Sequence, residues 1–111
     1  MNPTERKNQT YVYRAEGTIT AANAELFRDA VSEAYRRSGA RFLILDMAKV
    51  AFIDSMGIGM LVSLSRTATS LGGGLQIADL QPAPKMVVEI TRIDTIIPVF
   101  PSVSAAMAVA S

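Results

Sequence analysis

A continuous apolar run near the middle of the chain constrains the fold most. Residues 42–45 read Phe-Leu-Ile-Leu, with Arg41 before them and Asp46 after them. A short apolar run bounded by charges is typical of a β-strand covered on both faces, as in a parallel sheet flanked by helices. The run therefore predicts a central strand over residues 41–47, with Val50 to Ile53 continuing towards the next helix.

The segments around this strand alternate between strand and helix patterns. A β-rich segment at 11–17 precedes an amphipathic helix at 21–38, for which Thr18 or Thr20 is the expected cap. The later elements are expected as a helix at about 55–71, a strand at 75–79, a helix at 85–92, a proline-containing edge strand at 95–100 and a helix at 103–109.

Such alternation predicts the α/β class and a largely parallel sheet with crossover helices. We expect a single domain over residues 1–111, with a mixed, mostly parallel sheet of four to five strands and about four helices. Residues 1–9 are expected to be poorly ordered or to extend the first strand.

Composition narrows the functional classes. The chain has neither cysteine nor histidine, so it lacks disulfides, thiolate metal sites and the commonest general base. Its net charge is +1 and its basic residues are scattered, which disfavours nucleic-acid binding. The polar amino terminus and the lack of a long apolar span make the cytoplasm the expected compartment. We expect no enzymatic activity, no metal and no other cofactor.

Two glycine-rich segments resemble ligand motifs only weakly. Gly57-Ile58-Gly59 matches the first half of a dinucleotide fingerprint, but the third glycine is missing. Residues 72–74 lack the lysine and hydroxyl of a phosphate-binding loop and are predicted to form a turn. Asp46 and Asp54 are expected at strand ends on one edge of the sheet, where caps and turn acceptors are the commoner role for such carboxylates.

Ser55 is the most informative position in the sequence. It is either a cap or first-turn residue of the second helix, or an accessible site, because Gly57 and Gly59 leave little cover over the first turn. A phosphate at Ser55 would be tolerated there if free amides and the helix dipole receive it. Met56 and Met60 lie one turn apart and are either core residues or an adaptable contact surface.

Residues 42–47 and 50–61, which include Asp54-Ser55, resemble the signature of the STAS domain, particularly of bacterial anti-sigma factor antagonists. Gly17 before the first helix, the glycine-rich turn before Leu75 and the closing segment at 100–110 fit the same order of elements. The resemblance covers nearly the whole chain and implies a small STAS-type fold.

In that family, the serine directly after the aspartate is phosphorylated by an anti-sigma factor that is also a serine kinase of the histidine-kinase-like ATPase type. The resemblance implies that Ser55 is this acceptor. It further implies that the unphosphorylated chain binds the kinase and releases a client, and that a serine phosphatase resets the switch. The implied partner-binding residues are Thr20, Asp54, Ser55, Met56, Gly57 and Met60.

The chain departs from the usual family pattern at two of these positions. The family often has an acidic residue at Thr20 and a small residue at Met56. A weak homodimer is a further expectation. STAS domains also occur as constitutive subunits of lipid-transport ABC complexes, and in that alternative Ser55 would be only a cap.

Overall fold

The computed structural model describes residues 9–109, which form four strands, four α-helices and a short 3-10 helix. The elements are β1 Thr10–Ile19, α1 Ala24–Ser38, β2 Phe42–Ile53, α2 Ser55–Ser70, β3 Gly74–Ala78, α3 Pro82–Thr91, the 3-10 helix Ile93–Thr95, β4 Val99–Phe100 and α4 Val103–Val109. The predicted α/β class is confirmed. The expectation for residues 1–9 falls almost entirely outside the described part of the chain. None of these helices combines the length and apolar character needed to cross a membrane.

The four strands form one sheet in the order β1-β2-β3-β4, and each neighbouring pair is parallel. When parallel strands that are consecutive in the chain are also neighbours in the sheet, a crossover must connect each pair. Crossovers of the usual right-handed sense place the three connecting helices, α1, α2 and α3, on one face of the sheet. The loops after β1 and β2 then lie side by side, because Ile19 pairs with Ile53 at the end of both strands.

Alternation along the strands divides the apolar residues between two cores. Leu43 and Leu45 of β2 belong to the larger core, which includes buried residues of α1, α2 and α3. Ile44 points to the opposite face and packs with Ala78 and Ala106, the last of which lies on α4. The apolar run at residues 42–45 is therefore explained, because helices cover both faces of β2.

Prolines account for the differences between the predicted and observed bounds of α3 and β4. Helix α3 begins at Pro82 rather than at residue 85, because a proline at the first helical position loses no hydrogen bond. Strand β4 is limited to Val99–Phe100, since the chain before it forms the 3-10 helix and Pro98 cannot donate a backbone hydrogen bond.

Strand β2 extends well beyond its partner β3. The last β3 pairing joins Asp46 to Ala78, whereas β2 continues to Ile53 alongside β1. Asp46 therefore lies inside a strand, where it accepts a hydrogen bond from the Ala48 amide, and the prediction that it shares a strand-end position with Asp54 is wrong. Eight residues of extended chain separate the two carboxylates by roughly 25 Å.

Candidate functional site

Asp54 connects the ends of the two longest strands to the start of α2. One carboxylate oxygen, Oδ1, accepts hydrogen bonds from the amides of Met56 and Gly57, each at 3.0 Å. The other oxygen, Oδ2, accepts from the amide of Ala21 at 3.0 Å, and the Asp54 amide donates to the Ile19 carbonyl at 3.1 Å. Of the two caps considered for this helix, Asp54 is the one used, which leaves Ser55 as the first helical residue.

The loop before α1 is organised by its own short-range hydrogen bonds. The Thr20 amide donates to Asn23 Oδ1 at 2.9 Å, and the Asn23 side-chain amide donates to the Thr18 carbonyl at 2.8 Å. The Thr20 hydroxyl accepts from the Ala22 amide at 3.3 Å. The predicted cap at Thr18 or Thr20 is wrong, because this turn moves the cap position to Asn23 and the helix start to Ala24.

Ser55 is exposed, and in the described part of the chain its hydroxyl has no hydrogen-bond partner. It borders an open groove of about 330 Å³ between the first turns of α1 and α2. The groove is lined by Ala24, Glu25, Arg28, Ser55, Met56, Gly59 and Met60. A methyl group added at Gly59 would meet nothing within 4 Å, so this glycine does leave the groove open beside Ser55.

The two methionines of the site differ in exposure. Met56 is 58% exposed, whereas Met60 is only 4% exposed and belongs to the larger core. Of the two alternatives, the core role therefore holds for Met60, and Met56 is the methionine that offers exposed contact surface. Phe52 is 44% exposed, but it neighbours the buried Ile53 in β2, and side chains of successive strand residues point to opposite faces of the sheet.

Gly57 allows close packing of α2 and does not serve to leave Ser55 uncovered. A Cβ at this position would overlap the Ile53 side chain and lie 2.9 Å from the Ile19 carbonyl oxygen. The first turn of α2 can approach the ends of β1 and β2 this closely only without a side chain at Gly57. Both Gly57 and Gly59 lie within a helix, whereas the glycines of a dinucleotide fingerprint form the turn that leads into one.

The capping hydrogen bonds also affect the ionisation of Asp54. The amide of Gly57, together with those of Ala21 and Met56, stabilises the carboxylate and lowers its pKa below the ordinary value of 3.8. Asp54 therefore stays charged beside Ser55 at neutral pH, and it holds the two loops together in that state.

Replacing Asp54 by alanine or asparagine is expected to lower stability at neutral pH, more so for alanine, because asparagine keeps one acceptor oxygen. A lowered folded-state pKa stabilises the protein above the unfolded-chain pKa, and that stabilisation is lost as the pH falls through the folded-state value. Urea unfolding at pH 7, 5, 3.5 and 2.5 should show that the gap in unfolding free energy between wild type and each variant narrows at acid pH. A gap that stays constant over this range would contradict the role of the carboxylate.

Several residues of the site were not singled out from the sequence. Glu25 and Arg28 line the groove because α1 and α2 begin at the same edge of the sheet and pack together. Their spacing of three residues would have placed them on one face of α1, but nothing local shows that this face meets Ser55. Among the described residues, no group of three acidic, histidine or cysteine side chains could hold a metal ion.

The model of the STAS domain family matches residues 3–106, and the chain belongs to this family. A Bordetella bronchiseptica protein named provisionally as an anti-sigma factor antagonist is 30% identical over 93 residues, which cover 84% of this chain and 79% of that protein. An anti-sigma F factor antagonist of Paenibacillus polymyxa is 20% identical over 96 residues, covering 86% and 82% of the two chains.

Solved structures share the fold. A crystal structure of a Thermotoga maritima protein, named provisionally as an anti-sigma factor antagonist, superposes with a TM-score of 0.83 at 22% identity, covering 92% of this chain and 87% of that one. A murine anion transporter, Solute Carrier 26 family member A9, matches at a TM-score of 0.80 and 27% identity. That match covers 92% of this chain but only 18% of the transporter.

Proposed function

We propose that this chain is an anti-sigma factor antagonist whose affinity for a kinase partner falls when Ser55 is phosphorylated. The observation that carries the proposal is an exposed serine whose hydroxyl has no hydrogen-bond partner among residues 9–109, placed directly after the capping Asp54 at the first turn of α2. Membership of the STAS family and the names of the bacterial relatives support the same assignment.

The exposed surface around Ser55 suits a protein partner. Met56, which is 58% exposed, offers apolar area, and the turn at Thr20 is fixed next to α2 through the hydrogen bond between Ala21 and Asp54. A partner docked over this surface would cover the Ser55 hydroxyl. The kinase site of that partner could then reach the hydroxyl. The partner is a kinase-type anti-sigma factor, and a serine phosphatase restores the unmodified form.

In this reaction the chain is a substrate and a ligand rather than the catalyst. The Ser55 hydroxyl oxygen attacks the γ-phosphorus of ATP held by the kinase, the bond to the β-γ bridging oxygen breaks, and ADP leaves. The hydroxyl proton passes to a base on the kinase. Because Ser55 is the first helical residue after the capping Asp54, its backbone has a defined position from which the exposed hydroxyl can enter the kinase site.

The test is phosphorylation by candidate kinases from the same genome. Each histidine-kinase-like ATPase is purified and incubated with the chain and ATP, and the modified residue is mapped by mass spectrometry. We expect phosphate on Ser55, and no incorporation into a Ser55→Ala variant, while Ser104→Ala, which changes an exposed serine on α4, is modified normally. Modification of the Ser55→Ala variant at the wild-type rate would rule out the assigned acceptor.

The match to one segment of an anion transporter favours a second candidate. The chain would then be a constitutive STAS subunit of a membrane transporter. The alternative given by the sequence resemblance is a lipid-transport ABC complex. In that role Ser55 only begins a helix, so Ser55→Ala would leave function intact. Co-purification with a transporter ATPase, unaffected by Ser55→Ala, would support this candidate over the switch.

A further inference from the structure

The start of α2 does not offer the phosphate of a modified Ser55 a vacant set of amides. The amides of Met56 and Gly57 already donate to Asp54 Oδ1, and the amide of Ile58 donates to the Asp54 carbonyl. The prediction that free amides receive the phosphate is therefore wrong for these three. The capping carboxylate also places a negative charge next to the modified serine, so neutralising charge must come from elsewhere.

Arg28 is the one basic side chain among the described residues that line the groove with Ser55. It lies one helical turn beyond Ala24, on the side of α1 that packs towards α2, and its side chain is 37% exposed. The other charged groups around the groove are acidic: Glu25 on the same wall, Asp29 beside Arg28, and Asp54 at the start of α2.

The present partners of Arg28 hold it only weakly. Its Nε and Nη2 atoms donate to Asp29 Oδ1 at 3.2 and 3.1 Å, and Nη2 lies 3.9 Å from Glu25 Oε1. Both acids are well exposed and neighbour Arg28 on α1, and such surface pairs are worth little in water. A dianionic phosphate is a stronger partner, because it accepts two parallel hydrogen bonds from a guanidinium.

We propose that Arg28 binds the phosphate of phosphorylated Ser55 across the groove between α1 and α2. The inference rests on the proposed function, since it concerns the modified form of the same site. The ion pair holds the phosphate over the first turns of both helices, where it covers the surface that the partner uses. In the modified chain the phosphate is thus paired within the chain. The groove that the partner would contact is then occupied by charged groups, which lowers the partner's affinity.

The test installs phosphoserine at position 55 by genetic code expansion, so that no kinase is needed. The second ionisation of the phosphate is then followed by ³¹P NMR titration. In the wild-type background its pKa should lie below the ordinary value of about 6. Arg28→Gln should raise it by about half a unit or more, and Arg28→Lys by less, because lysine keeps the charge but loses the paired donors.

The matched control is Arg36→Gln, which removes the same charge from the last turn of α1. It should leave the phosphate pKa unchanged. Equal values in the wild-type and Arg28→Gln backgrounds would overturn the inference, as would an equal rise in Arg28→Gln and Arg36→Gln. Failure of kinases to modify Ser55 would overturn the proposed function instead, and it would leave this titration result intact.

Discussion

Replacing Ser55 by aspartate is expected to weaken binding to the kinase partner by roughly tenfold to a hundredfold, the upper end being about 2.7 kcal/mol. The added carboxylate would lie in an interface with an apolar contribution from Met56, where it must lose water. It would also lie beside the charged Asp54, whose lowered pKa keeps it ionised at neutral pH. Isothermal titration of each variant with the purified kinase measures the effect.

Two further substitutions separate charge from shape at Ser55. Ser55→Asn adds an uncharged group of similar size to aspartate, and Ser55→Ala removes the hydroxyl alone. Both should bind within a few fold of wild type, and all three variants should unfold at similar urea concentrations, because the Ser55 hydroxyl makes no hydrogen bond in the described structure. A loss of affinity in Ser55→Asn equal to that in Ser55→Asp would show that size, not charge, opposes binding.

Replacing Gly57 by alanine is expected to destabilise the protein by up to about 2 kcal/mol. The new Cβ would overlap the Ile53 side chain and approach the Ile19 carbonyl oxygen to 2.9 Å, so α2 would have to move away from the strand ends. Overpacking of this kind costs about 1–3 kcal/mol, and the higher helix propensity of alanine offsets about 1 kcal/mol of it. Urea unfolding followed by circular dichroism measures the change.

Gly59→Ala is the matched control, because it makes the same substitution two residues along the same helix. Its Cβ would meet nothing within 4 Å, so only the propensity gain remains and stability should rise by about 0.5–1 kcal/mol. The opposite signs at Gly57 and Gly59 distinguish close packing from helix propensity. Equal effects of the two substitutions would contradict the packing role assigned to Gly57.

The features that could be predicted from sequence are those determined by nearby residues. The start of α2 at Asp54-Ser55 follows from an oxygen acceptor placed before an apolar helical pattern, and the structure confirms it. The start of α4 is also determined locally, because the hydroxyl of the preceding Ser102 accepts a hydrogen bond from the Ala105 amide at 3.0 Å. Helix α4 accordingly has the predicted bounds.

The errors concern residues whose environment depends on distant parts of the chain. The length of β2 beyond Asp46 depends on its pairing with β1, which local patterns do not show. Burial of Met60 depends on the packing of α2 in the assembled core, which local patterns do not show. The approach of Arg28 to the groove depends on the packing of α1 against α2, which only the assembled fold defines.

The central claim is that phosphate on Ser55 controls the affinity for the kinase partner. The most direct measurement is the Kd of that partner for one preparation of the chain before modification, after stoichiometric phosphorylation at Ser55, and after treatment with a serine phosphatase. We expect the Kd to rise about a hundredfold on phosphorylation and to return to its starting value after dephosphorylation. A Kd that is the same in all three states would contradict the proposed switch.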